Sequence, residues 1–155
     1  DAFGETANLA MLDGDRVVYV AQVPSRHSMR MFTEVGRRVQ PHCTGVGKAL
    51  LAQLPGETVR SIVARTGMPA HTPRTFTDPE ALMAELVKIR EQGYALDDEE
   101  QELGVRCVAV PLTGSPTRAA FSVSGPSGRM TPEVVRRVVP LMHRAADRFT
   151  RDLPT

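Results

Sequence analysis

The side chains best placed for chemistry are two hydroxyls and a thiol on neighbouring strand-like segments. Ser122 and Ser124 alternate with apolar residues, so we expect both hydroxyls on one face of a strand. Cys107 lies in the apolar segment that precedes this strand along the chain. Buried hydroxyls need hydrogen-bond partners, which a bound polar molecule can supply. The pattern predicts a polar floor for a ligand pocket, although a lone cysteine in an apolar strand is more often a small core residue.

Four consecutive acidic residues follow the apolar segment 94–96. The carboxylates from Asp97 to Glu100, with Glu102, have the composition of a catalytic carboxylate cluster or a metal site, but an acidic run is usually a solvated loop. Asp97 is the exception, because it lies where a predicted strand passes into the loop and can point one carboxylate into a cavity. We therefore expect Asp97 to face the pocket and most of the others to face water.

A glycine-containing segment, 45–48, resembles a phosphate-binding loop. Its two glycines do not flank four residues, and Ala49 stands where such a loop needs a serine or threonine, so the sequence argues against nucleotide binding. Two interpretations remain. The free backbone N–H groups at a helix start suit a small anion such as a carboxylate, or the glycines allow the helix to pack closely on a sheet.

No motif supplies a nucleophile with its base. The chain contains no Gly-x-Ser-x-Gly sequence, and none of its histidines has a motif context; they are His27, His42, His71 and His143. A metal site that combines His42 and Cys43 with Cys107 lacks any local ligand spacing. We predict no catalytic residues, no metal ligands and no cofactor, and keep an enzyme for small acids that uses Cys107 or Asp97 as the alternative.

Length, charge and cysteine content point to one intracellular domain. A chain of 155 residues fits a single hydrophobic core, and two cysteines are too few for a disulfide framework. The net charge is +1 and the basic residues are interspersed with acidic ones, so these residues alone should not bind nucleic acid. No apolar stretch approaches the roughly 20 residues of a membrane span, and we expect a cytoplasmic protein with no membrane contact.

Local patterns predict the elements that position these groups. Residues 7–23 form a hairpin around Asp13-Gly14, Met29 to Phe32 form a third strand, and residues 36–41 form an irregular loop. Helical periodicity begins at Thr44 and again over Glu57 to Ala64.

The second half continues with alternating signals. Thr77-Asp78-Pro79-Glu80 starts a helix that Gly93 ends. Two strands over 105–112 and 119–124, joined by a turn, precede a final helix from Thr131 to about Arg151, which Pro140 should kink. Its core-facing side is predicted to carry Val134, Val138, Leu141, Ala145 and Phe149. The order β-β-β-α-α-α-β-β-β-α predicts an α+β fold, a mostly antiparallel, curved sheet with helices packed on its faces.

Five ordered segments resemble the C-terminal effector-binding domain of IclR-family transcription regulators. They are residues 8–20, 42–52, 93–100, 104–111 and 122–126, and together they extend over nearly the whole chain. The resemblance implies a single GAF-like domain over residues 1–155 that binds a small organic effector, commonly a carboxylate or an aromatic acid. It also implies a homo-oligomer, dimer or tetramer, that contacts DNA only through an N-terminal winged helix-turn-helix, which these residues do not include. Transcription regulation, commonly repression, is the expected role.

The family's pocket positions fall on Ser28, Met31, Gly45, Val46, Asp97, Cys107, Ser122 and Ser124. Ser28 and Val46 depart from the residues expected in sensors of small acids. Asp97 would repel a carboxylate unless it were protonated or met a ligand hydroxyl, so a hydroxy-acid or a polyol is a reasonable variant. A purely structural oligomerisation module is a further alternative.

Overall fold

The computed structural model describes residues 5–23, 35–112 and 118–151. Their elements, in chain order, are β1 (Thr6–Asp13), β2 (Arg16–Val23), β3 (Arg38–Val39), a 3-10 turn (Pro41–Cys43), α1 (Gly45–Leu51), α2 (Gly56–Thr66), α3 (Pro79–Gln92), β4 (Ala95–Asp98), β5 (Val105–Pro111), β6 (Ala119–Pro126) and α4 (Pro132–Arg151). The predicted strand at Met29 to Phe32, with pocket positions Ser28 and Met31, lies outside the described residues.

The strands of the described residues form one six-stranded sheet at the centre of the domain. The strand order is β3-β2-β1-β6-β5-β4, and every neighbouring pair is antiparallel. The sheet is curved. Helices α1, α2 and α3 pack on one face, and α4 packs on the other, so two separate apolar clusters form. The predicted α+β architecture is confirmed.

The local signals for the first hairpin and for α3 are confirmed. Gly14 occupies the turn between β1 and β2 with φ +62°, a conformation that glycine adopts without strain. Asp78 caps α3 by accepting hydrogen bonds from the N–H groups of Glu80 and Ala81, and Gly93 ends that helix in the left-handed conformation.

Two sequence predictions are wrong. Residues 36–41 are not an irregular loop throughout, because Arg38 and Val39 pair with β2 as strand β3. The core-facing side of α4 is rotated from the predicted one: Val138 is buried as predicted, but the other buried residues are Val135, Met142 and Ala146. Of the predicted side, Leu141 is 39% exposed and Phe149 is 36% exposed. Pro140 lies inside α4, as expected.

Candidate functional site

Sheet register brings four of the predicted pocket residues together on the face that carries α1. Asp97 in β4 lies opposite Cys107 in β5, and Cys107 lies opposite Ser124 in β6. Ser122 is two residues along β6 on the same face, opposite Asn8 of β1. Asp97, Cys107 and Ser122 are buried and Ser124 is half-buried. The predicted placement of both serines on one face, next to the thiol, is confirmed.

The start of α1 covers this polar surface. A Cβ added to Gly45 would lie 3.1 Å from Cys107 Sγ and 3.4 Å from the Cβ of Ala109, so the helix start rests on β5. Gly47 is packed more tightly still, since a Cβ there would overlap the carbonyl oxygen of Pro41. The close-packing interpretation of the glycines is therefore supported. Val46 is fully buried within the apolar cluster of α1, α2 and α3.

Asp97 brings an ionisable carboxyl group into the site. Burial raises the pKa of its carboxyl group from 3.8 to about 7, and the negative charge of Glu100 adds to the effect. A hydrogen bond of 2.8 Å from the N–H of Glu100 and the positive charge of Lys48 act in the opposite direction. Because the pKa lies near neutrality, the carboxyl group can either donate or accept a hydrogen bond at physiological pH.

Cys107 has the properties of an unreactive thiol. Burial, with the charge of Asp97, raises the pKa of the thiol to about 12, so the nucleophilic thiolate is scarce at neutral pH. The neighbouring hydroxyls of Ser122 and Ser124 act against this shift. Ser122 Oγ lies near this thiol. It is buried, and within the described part of the chain no group is placed in hydrogen-bond geometry with it. A buried hydroxyl of this kind calls for a ligand or a water molecule.

Tyr19 is a member of the site that sequence reasoning missed. No motif marked it, but its hydroxyl lies close enough to Asp97, Cys107 and Cys43 for a negative charge on any of them to raise its pKa. Burial, the largest cause, raises the pKa of this phenol above its ordinary value. Tyr19 therefore presents a neutral hydroxyl to the same region as Asp97.

Lys48 is engaged in a buried ion pair. Its side chain is fully buried, and Nζ lies 2.8 Å from Glu100 Oε1, 3.2 Å from Glu85 Oε2 and 2.6 Å from the carbonyl oxygen of Leu96. These contacts leave Lys48 unable to reach a phosphate, in agreement with the sequence argument against a nucleotide. They also make Glu100 an exception to the solvated-loop prediction, because Glu100 is buried and its carboxylate accepts a hydrogen bond from the N–H of Asp98.

A separate, apolar groove of about 400 Å³ lies between α4 and the β1-β2 end of the sheet. Leu9, Phe121, Val138 and Leu141 line it, and Ser122, whose side chain is on the α1 face of the sheet, only borders it. Gly45, Val46, Asp97 and Cys107 do not line this groove. Few polar groups converge there, so it fits an apolar surface better than a small polar effector.

With a curved antiparallel sheet and a buried polar patch beneath a glycine-tipped helix described, the chain can be compared with known families. The family model of the bacterial transcriptional regulator IclR C-terminal domain matches residues 1–151. The chain belongs to the IclR family. Members of this family are transcription regulators and not enzymes, so the prediction that the chain is not an enzyme is confirmed.

Individual IclR-family proteins agree in sequence and in fold. The transcriptional repressor IclR of Escherichia coli K12 is 38% identical over 151 residues, which are 95% of this chain and 55% of the repressor. The structure of Thermotoga maritima IclR superposes with a TM-score of 0.91 at 33% identity and covers 98% of this chain and 62% of that one.

A solved inducer-binding domain is also similar. It belongs to a double mutant of the PobR transcription factor from Acinetobacter, in complex with 3-hydroxybenzoic acid. This domain superposes with a TM-score of 0.85 at 29% identity, over 94% of this chain and 87% of that one.

The chain spans about half to three fifths of the curated relatives it matches, with 57%, 47% and 61% of their lengths covered for three of them. Within the described residues, no helix is long and apolar enough to cross a membrane.

Proposed function

We propose that this domain senses a small organic effector of the carboxylate, hydroxy-acid or polyol class at the polar surface beneath α1. The binding residues are Asp97, Cys107, Ser122 and Ser124, with Gly45 and Val46 at the helix start. The resemblance to the family adds Ser28 and Met31. The observation that carries the proposal is the buried Ser122 hydroxyl without a hydrogen-bond partner in the described structure, because a ligand oxygen can satisfy it.

The remaining groups define what such an effector must offer. Asp97 and Tyr19 present carboxyl and phenol groups, and the thiol of Cys107 is neutral at pH 7. A carboxylate effector is favoured when Asp97 is protonated, whereas a polyol or a hydroxyl group can donate to Asp97 when it is ionised. The two effector classes therefore differ in the pH dependence of their binding.

In the whole regulator, effector occupancy is transmitted to DNA. We infer that the protein is a cytoplasmic homo-oligomer, a dimer or a tetramer, and that it represses transcription through a winged helix-turn-helix outside these residues. The effector can change DNA affinity only if it binds one arrangement of the oligomer more tightly than another. The relatives that carry the name repressor support this role.

Isothermal titration calorimetry with small carboxylic acids and polyols, at pH 6 and at pH 8, tests the site. For the tightest binder, Ser122→Ala should weaken binding about 3- to 10-fold, the equivalent of one hydrogen bond. Ser61→Ala, on the exposed surface of α2, is the matched control and should leave the affinity unchanged.

A carboxylate should bind more weakly at pH 8 than at pH 6, and Asp97→Asn should abolish that difference. Unchanged affinity in Ser122→Ala would place the effector elsewhere, and the absence of any ligand-induced increase in melting temperature would favour the structural oligomerisation module.

A further inference from the structure

A cluster of potential metal ligands lies near the effector site, and none of its three residues is among those assigned to effector binding. One ring nitrogen each from His42 and His71 and the Sγ of Cys43 all lie within 4.8 Å of one another. His42 and Cys43 belong to the 3-10 turn before α1, and His71 belongs to the loop between α2 and α3. Sequence spacing alone could not reveal this set, since His71 follows Cys43 by 28 positions.

The protonation of His42 leaves one nitrogen free to coordinate. Its Nε2 lies 3.0 Å from the carbonyl oxygen of Pro69, which can only accept, so Nε2 carries the proton. Nδ1 then has a lone pair, and it is fully buried without a hydrogen-bond partner in the described structure. A histidine whose other nitrogen donates to a backbone carbonyl is the usual form of a metal ligand.

Gln40 orients His71 in the same way. The amide Nε2 of Gln40 donates to the carbonyl oxygen of Thr66 at 3.1 Å, which directs Oε1 of the same amide toward His71. Nε2 of His71 lies 3.3 Å from this oxygen and is therefore the donor. Both histidines thus have a supporting acceptor on one nitrogen and a lone pair on the other.

We propose that His42, Cys43 and His71 bind a divalent cation of the zinc class. Two imidazoles and one thiolate form a donor set that zinc and cobalt favour, with the fourth position open to solvent on the side of the exposed His71. Ligand atoms around tetrahedral zinc lie about 3.3–3.8 Å apart, so the three residues need to approach by roughly 1 Å. The exposed side chain of His71 can make this movement. On binding, the Cys43 thiol releases its proton to solvent and the sulfur coordinates the cation.

Cobalt titration of the chelator-treated protein tests this site. Tetrahedral Co²⁺ with one thiolate ligand should give a sulfur-to-metal charge-transfer band and intense visible bands, both of which Zn²⁺ should abolish by displacement. Cys43→Ser should lose the charge-transfer band although Cys107 remains. His71→Ala changes an exposed side chain, so the fold should persist while Co²⁺ affinity falls at least 10-fold.

His143→Ala, on α4, is the matched control and should bind Co²⁺ like the unmodified chain. The proposal is overturned if the unmodified chain gives no tetrahedral spectrum at millimolar Co²⁺. It is equally overturned if Cys43→Ser retains the charge-transfer band or if His71→Ala binds with unchanged affinity, because a cation would then use other ligands.

Discussion

At the scale of single residues, Asp97 makes the stability of the domain depend on pH near neutrality. The pKa of its carboxyl group rises from 3.8 to about 7 on burial, so between these values the folded chain binds a proton more tightly than the unfolded chain. The contribution to the free energy of unfolding is complete below about pH 4 and is lost as the pH rises through 7.

Asp97→Asn should remove this loss. Between pH 5 and pH 8, the free energy of unfolding of the unmodified chain should fall relative to the variant by about 2 to 3 kcal/mol, since each pKa unit corresponds to about 1.4 kcal/mol. Urea unfolding across this range measures the difference. Asp147→Asn, at an exposed position of α4, should follow the unmodified chain. Parallel curves for Asp97→Asn and the unmodified chain would contradict the assigned titration.

Residue types and strand alternation predicted part of the site. Asp97, Cys107, Ser122 and Ser124 could be placed together because strands alternate with a period of two and few residues separate β5 from β6 along the sequence. Tyr19 could not, because its hydroxyl reaches the site only through the pairing of β2 with β1, at the far side of β6. His71 was missed for a similar reason, since only the tertiary fold brings its loop to the 3-10 turn.

At the scale of elements, the buried lysine joins three segments that are distant in sequence. Lys48 of α1 contacts Glu85 of α3, Glu100 and the backbone of β4. Removal of one partner of a buried pair leaves the other charge uncompensated, which is far more destabilising than the loss of a surface pair. The Lys48 contacts therefore fix α1, and with it the roof of the effector site, to the sheet.

Lys48→Met keeps the length of the side chain and removes its charge. We expect the free energy of unfolding to fall by about 3–5 kcal/mol. This loss should be smaller at lower pH, because Glu100 can then take up a proton. Glu100→Gln in the same chain should restore part of the loss. Arg60→Met breaks the exposed pair with Glu80 and should cost under about 1 kcal/mol. A Lys48→Met variant as stable as Arg60→Met would show that the buried pair does not secure α1.

The elements themselves were predictable where the signal is local. The β1-β2 hairpin and α3 have their turn and capping residues within a few positions, and both formed as expected. Strand β3 was missed because two residues carry no periodicity, and only pairing with β2 defines it. The orientation of α4 was wrong because apolar residues occur on more than one side of that helix, so periodicity alone does not choose the side that meets the sheet.

At the scale of the whole molecule, the sheet separates the polar site from an apolar surface. Helix α4 covers β5 and β6, while Val20 and Val23 of β2 are 37% and 57% exposed. The apolar groove between α4 and this end of the sheet continues through Leu141, which is 39% exposed. Exposed apolar patches of this kind are typical of contact surfaces, and the homo-oligomer proposed above would offer a second copy of the chain as the partner.

Leu141→Glu should weaken that self-association. A charge introduced into an apolar contact must lose its hydration when the second copy binds, whereas in the free chain Leu141 is exposed enough for glutamate to remain in water. Sedimentation equilibrium over a range of concentrations should show a dissociation constant at least 10-fold higher for the variant. Val87→Glu, on α3 at the opposite face of the sheet and 44% exposed, makes the same chemical change and should sediment like the unmodified chain. If Leu141→Glu and Val87→Glu associate equally, the oligomer forms through another surface and the groove has a different occupant.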